Sequence, residues 1–133
     1  MLEHVALWTP DLERSRDFYV RYFGGESNAR YENAHHGFAS YFLTFPGGSR
    51  LELMQMAGIA ERAFPPEVQA MGLVHLAFCP GDAVAVDRLT ERLRADGYRV
   101  IGEARRTGDG YYESTVLDPD GNRLEIAALP STP

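Results

Sequence analysis

Four short stretches of the chain alternate large aliphatic residues with polar or small ones. The aliphatic positions are Val5 and Leu7, Leu51 and Leu53, Leu76 with its neighbours Val74 and Phe78, and Leu124 and Ile126. Because successive side chains of a β-strand point to opposite faces, each stretch predicts a strand with one aliphatic face. The opposite face of each predicted strand carries one ionisable candidate: His4, Glu52, His75 or Glu125.

Two longer stretches repeat apolar residues at helical spacing. The first carries Leu12, Ser15, Tyr19, Tyr22 and Phe23, and the second carries Val86, Leu89 and Leu93. Thr9 or Asp11 caps the first predicted helix and Asp82 caps the second, while Gly24-Gly25 and Gly97 end them. The strands predicted around these helices cover residues 3–9, 26–32, 37–45 and 49–56, then 73–79, 98–106, 111–117 and 122–128. Each half of the chain therefore has the order β-α-β-β-β.

An internal repeat supports this division. Residues 45–53 match residues 118–126 at an offset of 73 positions, and residues 4–7 match residues 75–78 at an offset of 71. A fixed offset indicates two copies of one supersecondary unit. The predicted fold class is α+β, with two βαβββ modules that form curled mixed sheets. The modules cover residues 1–57 and 73–129, residues 58–72 connect them within one structural domain, and the tail from Pro130 is expected to be loose.

Composition narrows the range of partners. The chain has 133 residues and a formal net charge of −6, which argues against nucleic acid and anionic membrane surfaces, since both require a basic face. The single cysteine, Cys79, excludes an internal disulfide and suits a reducing compartment. The sequence has neither a leader pattern nor an apolar stretch of the roughly 20 residues that span a bilayer. We expect a soluble, cytoplasmic protein.

The repeated His and Glu positions predict a metal site. A single His or Glu on a half-exposed strand is usually only solvated, but here two His and two Glu occupy matched positions in two repeats. If the sheets curl, these side chains converge, and a cation would offset the cost of burying two carboxylates. Two imidazoles with two carboxylates suit one divalent Zn, Ni, Co, Mn or Fe ion per site.

The paired modules resemble the vicinal oxygen chelate superfamily, which includes glyoxalases, bleomycin resistance proteins and extradiol dioxygenases. Residues 118–126 and 11–19 are the most characteristic segments, and the spacing of His4, Glu52, His75 and Glu125 is similar to the metal-ligand set of bacterial glyoxalase I (lactoylglutathione lyase). The resemblance implies an isomerase or lyase that binds a small substrate through vicinal oxygens. It also implies proton transfer next to a carbonyl through a metal-stabilised enediolate, with Glu125 as the proton carrier and Glu52 as the second candidate.

The resemblance further implies a homodimer. Residues 57–72 are long enough to let the second module leave the first, so His4 and Glu52 of one subunit are expected to meet His75 and Glu125 of the other. The sequence also leaves open the alternative that each chain builds its own site.

Four residues are predicted to contact the substrate: Trp8, Met54, Met56 and Arg105. Glutathione-using relatives carry a basic residue on the first strand shortly after the His, where this chain has Ala6-Leu7-Trp8, and Trp8 lies on the His4 face. A Trp ring binds by stacking and apolar contact rather than by pairing with a carboxylate, which argues against glutathione. Arg105 lies near a predicted hairpin tip, where it can meet an anionic end of a substrate.

The superfamily offers three alternative functions. Ring-cleaving dioxygenase chemistry on Fe(II) and thiol transfer each need only three protein ligands, so Glu52 would be a surplus ligand in both. A non-catalytic drug-binding protein of the bleomycin-resistance type is the third alternative, but such proteins have generally lost their metal ligands. Glu52 is thus the residue that separates these alternatives from a glyoxalase I-like enzyme.

Overall fold

The computed structural model describes residues 1–130 and divides into two compact units, Met1–Ala63 and Phe64–Pro133. The division falls inside the connector predicted over residues 58–72. Apart from Pro130, the tail that was predicted to be loose lies outside the described residues.

The first unit is a mixed sheet with one helix. Its elements, in chain order, are β1 (His4–Trp8), α1 (Leu12–Phe23), β2 (Glu26–Ser27), β3 (Tyr31–Asn33), β4 (Phe38–Thr44) and β5 (Arg50–Met56). The strand order is β1-β5-β4-β2, and β3 also pairs with β4. Strand β1 runs parallel to β5, whereas the other pairs are antiparallel. The parallel pairing places the first and last strands of the unit side by side.

The strand predicted over residues 26–32 is divided in the structure, and Asn28 explains the break. The backbone N–H of Asn28 donates to the Phe42 carbonyl at 3.0 Å, while the Asn28 side-chain oxygen accepts from the Phe42 N–H at 2.8 Å. A side chain therefore replaces a backbone carbonyl in the ladder. The pairing with β4 shifts by one residue across this point, as at a β-bulge.

Helix α1 begins and ends as the sequence predicts. The Asp11 carboxylate accepts from the Arg14 N–H at 3.0 Å, and Gly24 closes the helix in the left-handed conformation at φ 70°. The residues that the helix buries are Leu12, Ser15, Phe18, Tyr19 and Tyr22. The face of the sheet that α1 covers carries Tyr41, Leu43, Leu51 and Leu53, all of them buried.

The second unit repeats the plan with five elements, which are β6 (His75–Phe78), α2 (Ala83–Ala95), β7 (Val100–Arg106), β8 (Tyr112–Leu117) and β9 (Arg123–Ala128). Its strand order is β6-β9-β8-β7, with β6 parallel to β9. Both halves thus follow the predicted βαβββ plan, except that one predicted strand of the first half is divided into β2 and β3. The ends of the other predicted strands lie within two residues of the observed ones. The fold is α+β with two mixed sheets.

Helix α2 is capped by Asp82, whose carboxylate accepts from the Ala85 N–H at 2.9 Å. Val86 and Leu93 are buried as predicted, but Leu89 is only half-buried. Thr90 is the buried residue of that turn, and its hydroxyl pairs with the Ser114 hydroxyl on β8 at 2.7 Å. This contact identifies the face of the second sheet that α2 covers. In the described part of the chain, neither helix has the length and apolar character needed to cross a lipid bilayer.

Candidate metal and substrate site

The first His–Glu pair follows from the parallel pairing of β1 with β5. His4 lies opposite Arg50 and Ala6 lies opposite Glu52, so His4 and Glu52 are diagonal neighbours on one face of the sheet. The His4 Nε2 atom lies 3.4 Å from a carboxylate oxygen of Glu52. Leu51 and Leu53 alternate with this face and pack under α1, so the pair lies on the face opposite the helix.

The second His–Glu pair is built by the same register in the second unit. His75 lies opposite Arg123 and Ala77 lies opposite Glu125. The His75 Nε2 atom is 2.5 Å from a carboxylate oxygen of Glu125. Leu124 and Ile126 alternate with Glu125 and are fully buried, so this pair also lies on the face opposite the helix of its unit.

The two carboxylates are more buried than the imidazoles. The Glu52 and Glu125 side chains are 16% and 17% exposed, against 35% and 36% for His4 and His75. Partial burial of an ionised carboxylate is costly unless a positive charge or hydrogen-bond donors offset it. A divalent cation bound by the imidazole nitrogen and the carboxylate oxygen of a pair would meet this requirement.

Glu3 is a neighbour of the first pair that the strand alternation does not reveal. The other ring nitrogen of His4, Nδ1, is hydrogen-bonded to a Glu3 carboxylate oxygen, and the second Glu3 oxygen accepts from Arg50 Nη1 at 2.5 Å. The His4 hydrogen bond lowers the pKa of Glu3, with help from Arg50. The Phe42 ring packs edge-on against the His4 ring at 5.1 Å.

Glu113 is a neighbour of the second pair that sequence reasoning also missed. It lies on β8, two residues before Thr115, which is opposite Glu125. The Glu113 side chain is 16% exposed. Burial first, and then the charge of Glu125, raise the pKa of the Glu113 carboxyl. The alternation of Glu113 and Thr115 with buried Ser114 could have placed Glu113 on this face from the sequence alone.

The predicted substrate residues divide between the units. In the first unit, Trp8 is opposite Met54 and Phe38 is opposite Met56, and the Trp8 and Phe38 rings meet edge-on at 6.3 Å. These four residues form an aromatic and thioether strip on the same face as His4, and Trp8 is 41% exposed. In the second unit, Arg105 is opposite Glu113, with 3.7 Å between its Nη1 atom and the carboxylate.

Within residues 1–130, no group of three or more His, Cys, Asp or Glu side chains is arranged to hold a metal ion. The structure brings the four predicted ligands together as two pairs, one in each unit. Their chemistry fits a divalent cation, because imidazole nitrogens and carboxylate oxygens are borderline-to-hard donors. Thiolate chemistry has no part in either pair, since Cys79 directs its sulfur to the Gly81 carbonyl at 3.6 Å.

Two βαβββ units, each with a His on its first strand and a Glu on the parallel last strand, define a class of two-module proteins. Comparison with known proteins identifies that class. Residues 1–126 match the family model of the glyoxalase/bleomycin resistance protein/dioxygenase superfamily, and the chain belongs to that superfamily. Its members often bind divalent metals.

The chain is also similar to individual proteins. An uncharacterised protein of Bacillus subtilis, YqjT, is 30% identical over 132 residues, which cover 96% of this chain and 98% of the relative. The ethylmalonyl-CoA/methylmalonyl-CoA epimerase of Cereibacter sphaeroides is 31% identical over 103 residues, covering 76% and 74% of the two chains. A glyoxylase/bleomycin resistance protein/dioxygenase domain from Frankia sp. EAN1pec shares the fold, with a TM-score of 0.79, 23% identity, and coverage of 96% and 90%.

Proposed function

We propose that the protein is a metal-dependent isomerase or lyase that transfers a proton next to a carbonyl group. The observation that carries the proposal is the repeated His–Glu pair, at 3.4 Å in the first unit and 2.5 Å in the second, each on the face opposite the helix. His4, Glu52, His75 and Glu125 would hold one divalent ion of the Ni, Zn, Co, Mn or Fe group. When bound, that ion would act as a Lewis acid toward two vicinal oxygens of the substrate.

Glu125 is the proposed proton carrier. A carboxylate that lies beside the carbon next to the carbonyl can take the proton of that carbon as a base and then return it as an acid. The strand neighbour of Glu52 is Phe42, whose ring is held between His4 and the Arg50 guanidinium. The strand neighbour of Glu125 is the smaller Thr115. The smaller cross-strand neighbour of Glu125 leaves more room beside this carboxylate for a substrate, and Glu52 is the second candidate.

The aromatic and thioether strip is proposed to bind the apolar part of the substrate. Trp8, Met54 and Met56 offer stacking and polarisable contacts, and Arg105, whose side chain is 64% exposed, can meet an anionic end. Trp8→Ala should raise KM severalfold, while the affinity for the metal should not change. Titration of the metal into the variant and the wild type separates these two effects.

The relation to an epimerase favours proton transfer over ring cleavage. The Cereibacter sphaeroides relative is called an ethylmalonyl-CoA/methylmalonyl-CoA epimerase, and epimerisation next to a carbonyl removes and returns one proton. The same step underlies a glyoxalase I-like reaction. A dioxygenase or thiol transferase would need only three of the four proposed ligands, and a drug-binding protein would need none.

The working unit is proposed to be a homodimer with two equivalent sites, each completed by two modules. Each unit supplies one His and one Glu, so a four-ligand site needs one copy of each unit. Apart from the second subunit, the proposed binding partner is a small-molecule substrate with vicinal oxygens, and neither nucleic acid nor a membrane is proposed as a partner.

Metal analysis and proton exchange test this function together. Purified protein should bind added Ni or Zn, and this binding should require His4 and His75. In D2O, the loaded protein should exchange the proton next to the carbonyl of methylmalonyl-CoA or of a methylglyoxal–thiol adduct. Glu125→Gln should slow exchange at least about 100-fold, the range of a lost general base. The proposal would be refuted if the wild type binds no divalent ion, or if the His4→Ala,His75→Ala variant binds the ion as well as the wild type does.

A further inference from the structure

Within residues 1–130, His4 is held by a group of contacts that His75 does not share. We propose that Glu3 is a positioning residue, which fixes the His4 ring so that Nδ1 carries the proton and Nε2 presents its lone pair to a divalent cation. This inference rests on the proposed function for the identity of the ligand, but its structural part concerns only His4 and its neighbours.

The two ring nitrogens of His4 face different groups. Nδ1 is hydrogen-bonded to Glu3, and Nε2 lies 3.4 Å from Glu52. An ionised carboxylate only accepts hydrogen bonds, so the Nδ1 atom must be the donor to Glu3. In a neutral ring the lone pair is then on Nε2. The 3.4 Å separation from Glu52 is longer than an ordinary N–H···O bond, and leaves Nε2 available to a metal.

Glu3 is itself held in place, although its side chain is 51% exposed. Arg50 donates to the Glu3 oxygen that His4 does not use, at 2.5 Å. The Arg50 guanidinium lies over the Phe42 ring at 4.2 Å, and Phe42 packs edge-on against His4 at 5.1 Å. The four side chains thus form a closed ring of contacts, in which each one touches two others.

The second unit has the same backbone register, but among residues 64–130 the structure shows none of these contacts around His75. The residue before His75 is Val74, which has no hydrogen-bonding side chain and is 45% exposed. Arg123 occupies the position opposite His75, as Arg50 does opposite His4, but it donates to the Glu67 carbonyl at 2.9 Å. The carboxylate contact is therefore a property of the first unit, and its removal should affect His4 and leave His75 unchanged.

A carboxylate behind a metal-binding imidazole fixes the tautomer and raises the basicity of the ring. Removing such a supporting residue typically weakens metal binding 10–100-fold. Because Glu3 is half-exposed and solvent can replace part of its contact, we expect a loss of about tenfold, at the lower end of that range.

The experiment compares Glu3→Ala and the isosteric Glu3→Gln with a matched control, Glu32→Gln. Glu32 is also an exposed glutamate of the first unit and also accepts from an arginine, Arg30, at 2.8 Å, but it is remote from His4 in the sheet. Zinc affinity is measured by competition with a chromophoric chelator. The tautomer of each His ring is measured in the metal-free protein at about pH 8 from the nitrogen-15 shifts of the ring.

In the wild type, the His4 ring should show the Nδ1–H tautomer. Glu3→Ala should give a mixture of the two His4 tautomers and weaken zinc binding about tenfold. Glu3→Gln should give values between those of the wild type and Glu3→Ala, and Glu32→Gln should match the wild type. The shifts of His75 should not change. An Nε2–H tautomer in the wild type, or a tautomer unaffected by Glu3→Ala, would overturn the proposal, as would an equal loss of affinity in Glu32→Gln. If the wild type shows no zinc binding at all but the tautomer responds to Glu3→Ala, then the proposed function fails and the orienting contact stands.

Discussion

Replacement of Glu125 by glutamine should change the stability of the protein in opposite directions with and without metal. Glu125 is partly buried, lies 2.5 Å from His75, and raises the pKa of the nearby Glu113. In the metal-free protein, the neutral amide removes one of two neighbouring carboxylate charges, so the Tm at neutral pH should rise slightly. In the metal-bound protein, the same change removes an anionic ligand, so stabilisation by metal should fall.

The size of the second effect follows from mass action. A metal at 100 times its Kd stabilises the folded protein by about 2.7 kcal/mol. Loss of a residue that only supports a ligand costs 10–100-fold in affinity, so loss of the Glu125 carboxylate itself should cost at least about 100-fold. At the same metal concentration, the stabilisation then falls to about 0.4 kcal/mol. At roughly 4 °C per kcal/mol for a chain of this size, the metal-induced gain in Tm falls from about 11 °C to about 2 °C.

The assay is thermal unfolding of wild type and variant, with chelator and with a fixed concentration of Zn or Ni. Glu103→Gln is a matched control, because Glu103 is in the same unit, is 72% exposed and pairs with Arg94 on the helix-covered side of the fold. Its substitution should leave the metal-induced gain unchanged. An undiminished gain in Glu125→Gln would refute the assignment of Glu125 as a ligand. A lower Tm in the metal-free variant would refute the charge argument.

Two further predictions concern the same face. Because the pKa of Glu113 is raised in the folded state, the folded state loses stability as the pH rises above the ordinary glutamate pKa of about 4.3. Glu113→Gln should therefore raise the Tm of the metal-free protein at pH 8. In a series of melting curves at different pH, the difference in Tm from the wild type should vanish below about pH 4. If the proposed homodimer exchanges its modules, mixing His4→Ala,Glu52→Ala protein with His75→Ala,Glu125→Ala protein should restore metal binding, because a heterodimer regains one intact site. No recovery despite confirmed subunit exchange would mean that each chain builds its own site.

The sequence predicts the faces of the sheets well because burial of one face enforces period 2. Leu51, Leu53, Leu124 and Ile126 are all buried as predicted, and a shift of one residue would have moved each of them to the other face. The position of the His strand beside the Glu strand also follows from the βαβββ order, since the last strand returns next to the first. The break in the strand predicted over residues 26–32 was not predictable from alternation, because it depends on the Asn28 side chain replacing a backbone acceptor.

Glu3 and Glu113 were missed for two different physical reasons. Alternation would place Glu3 on the face opposite His4, but β1 begins at His4, so Glu3 lies outside the strand and its side chain can turn towards the ring. Glu113 lies inside a strand that was predicted, but the repeat gave it no counterpart, because Ser40 occupies the matching position beside Met54. Comparison of the two modules finds what they share, and these residues belong to only one module each.

This difference between the modules bears on how the proposed reaction is divided. In the first unit, His4 is fixed by Glu3 and Phe42, and Arg50 holds both of these neighbours. In the second unit, two partly buried carboxylates, Glu113 and Glu125, repel each other across adjacent strands. A rigid imidazole is suited to holding a cation in one geometry, whereas burial and the charge of Glu125 raise the pKa of Glu113, so that the Glu113 carboxyl more readily keeps a proton beside Glu125. The asymmetry therefore supports the proposal that the first pair holds the cation and that the proton moves in the second unit, where Glu125 has Glu113 as a neighbour with a raised pKa.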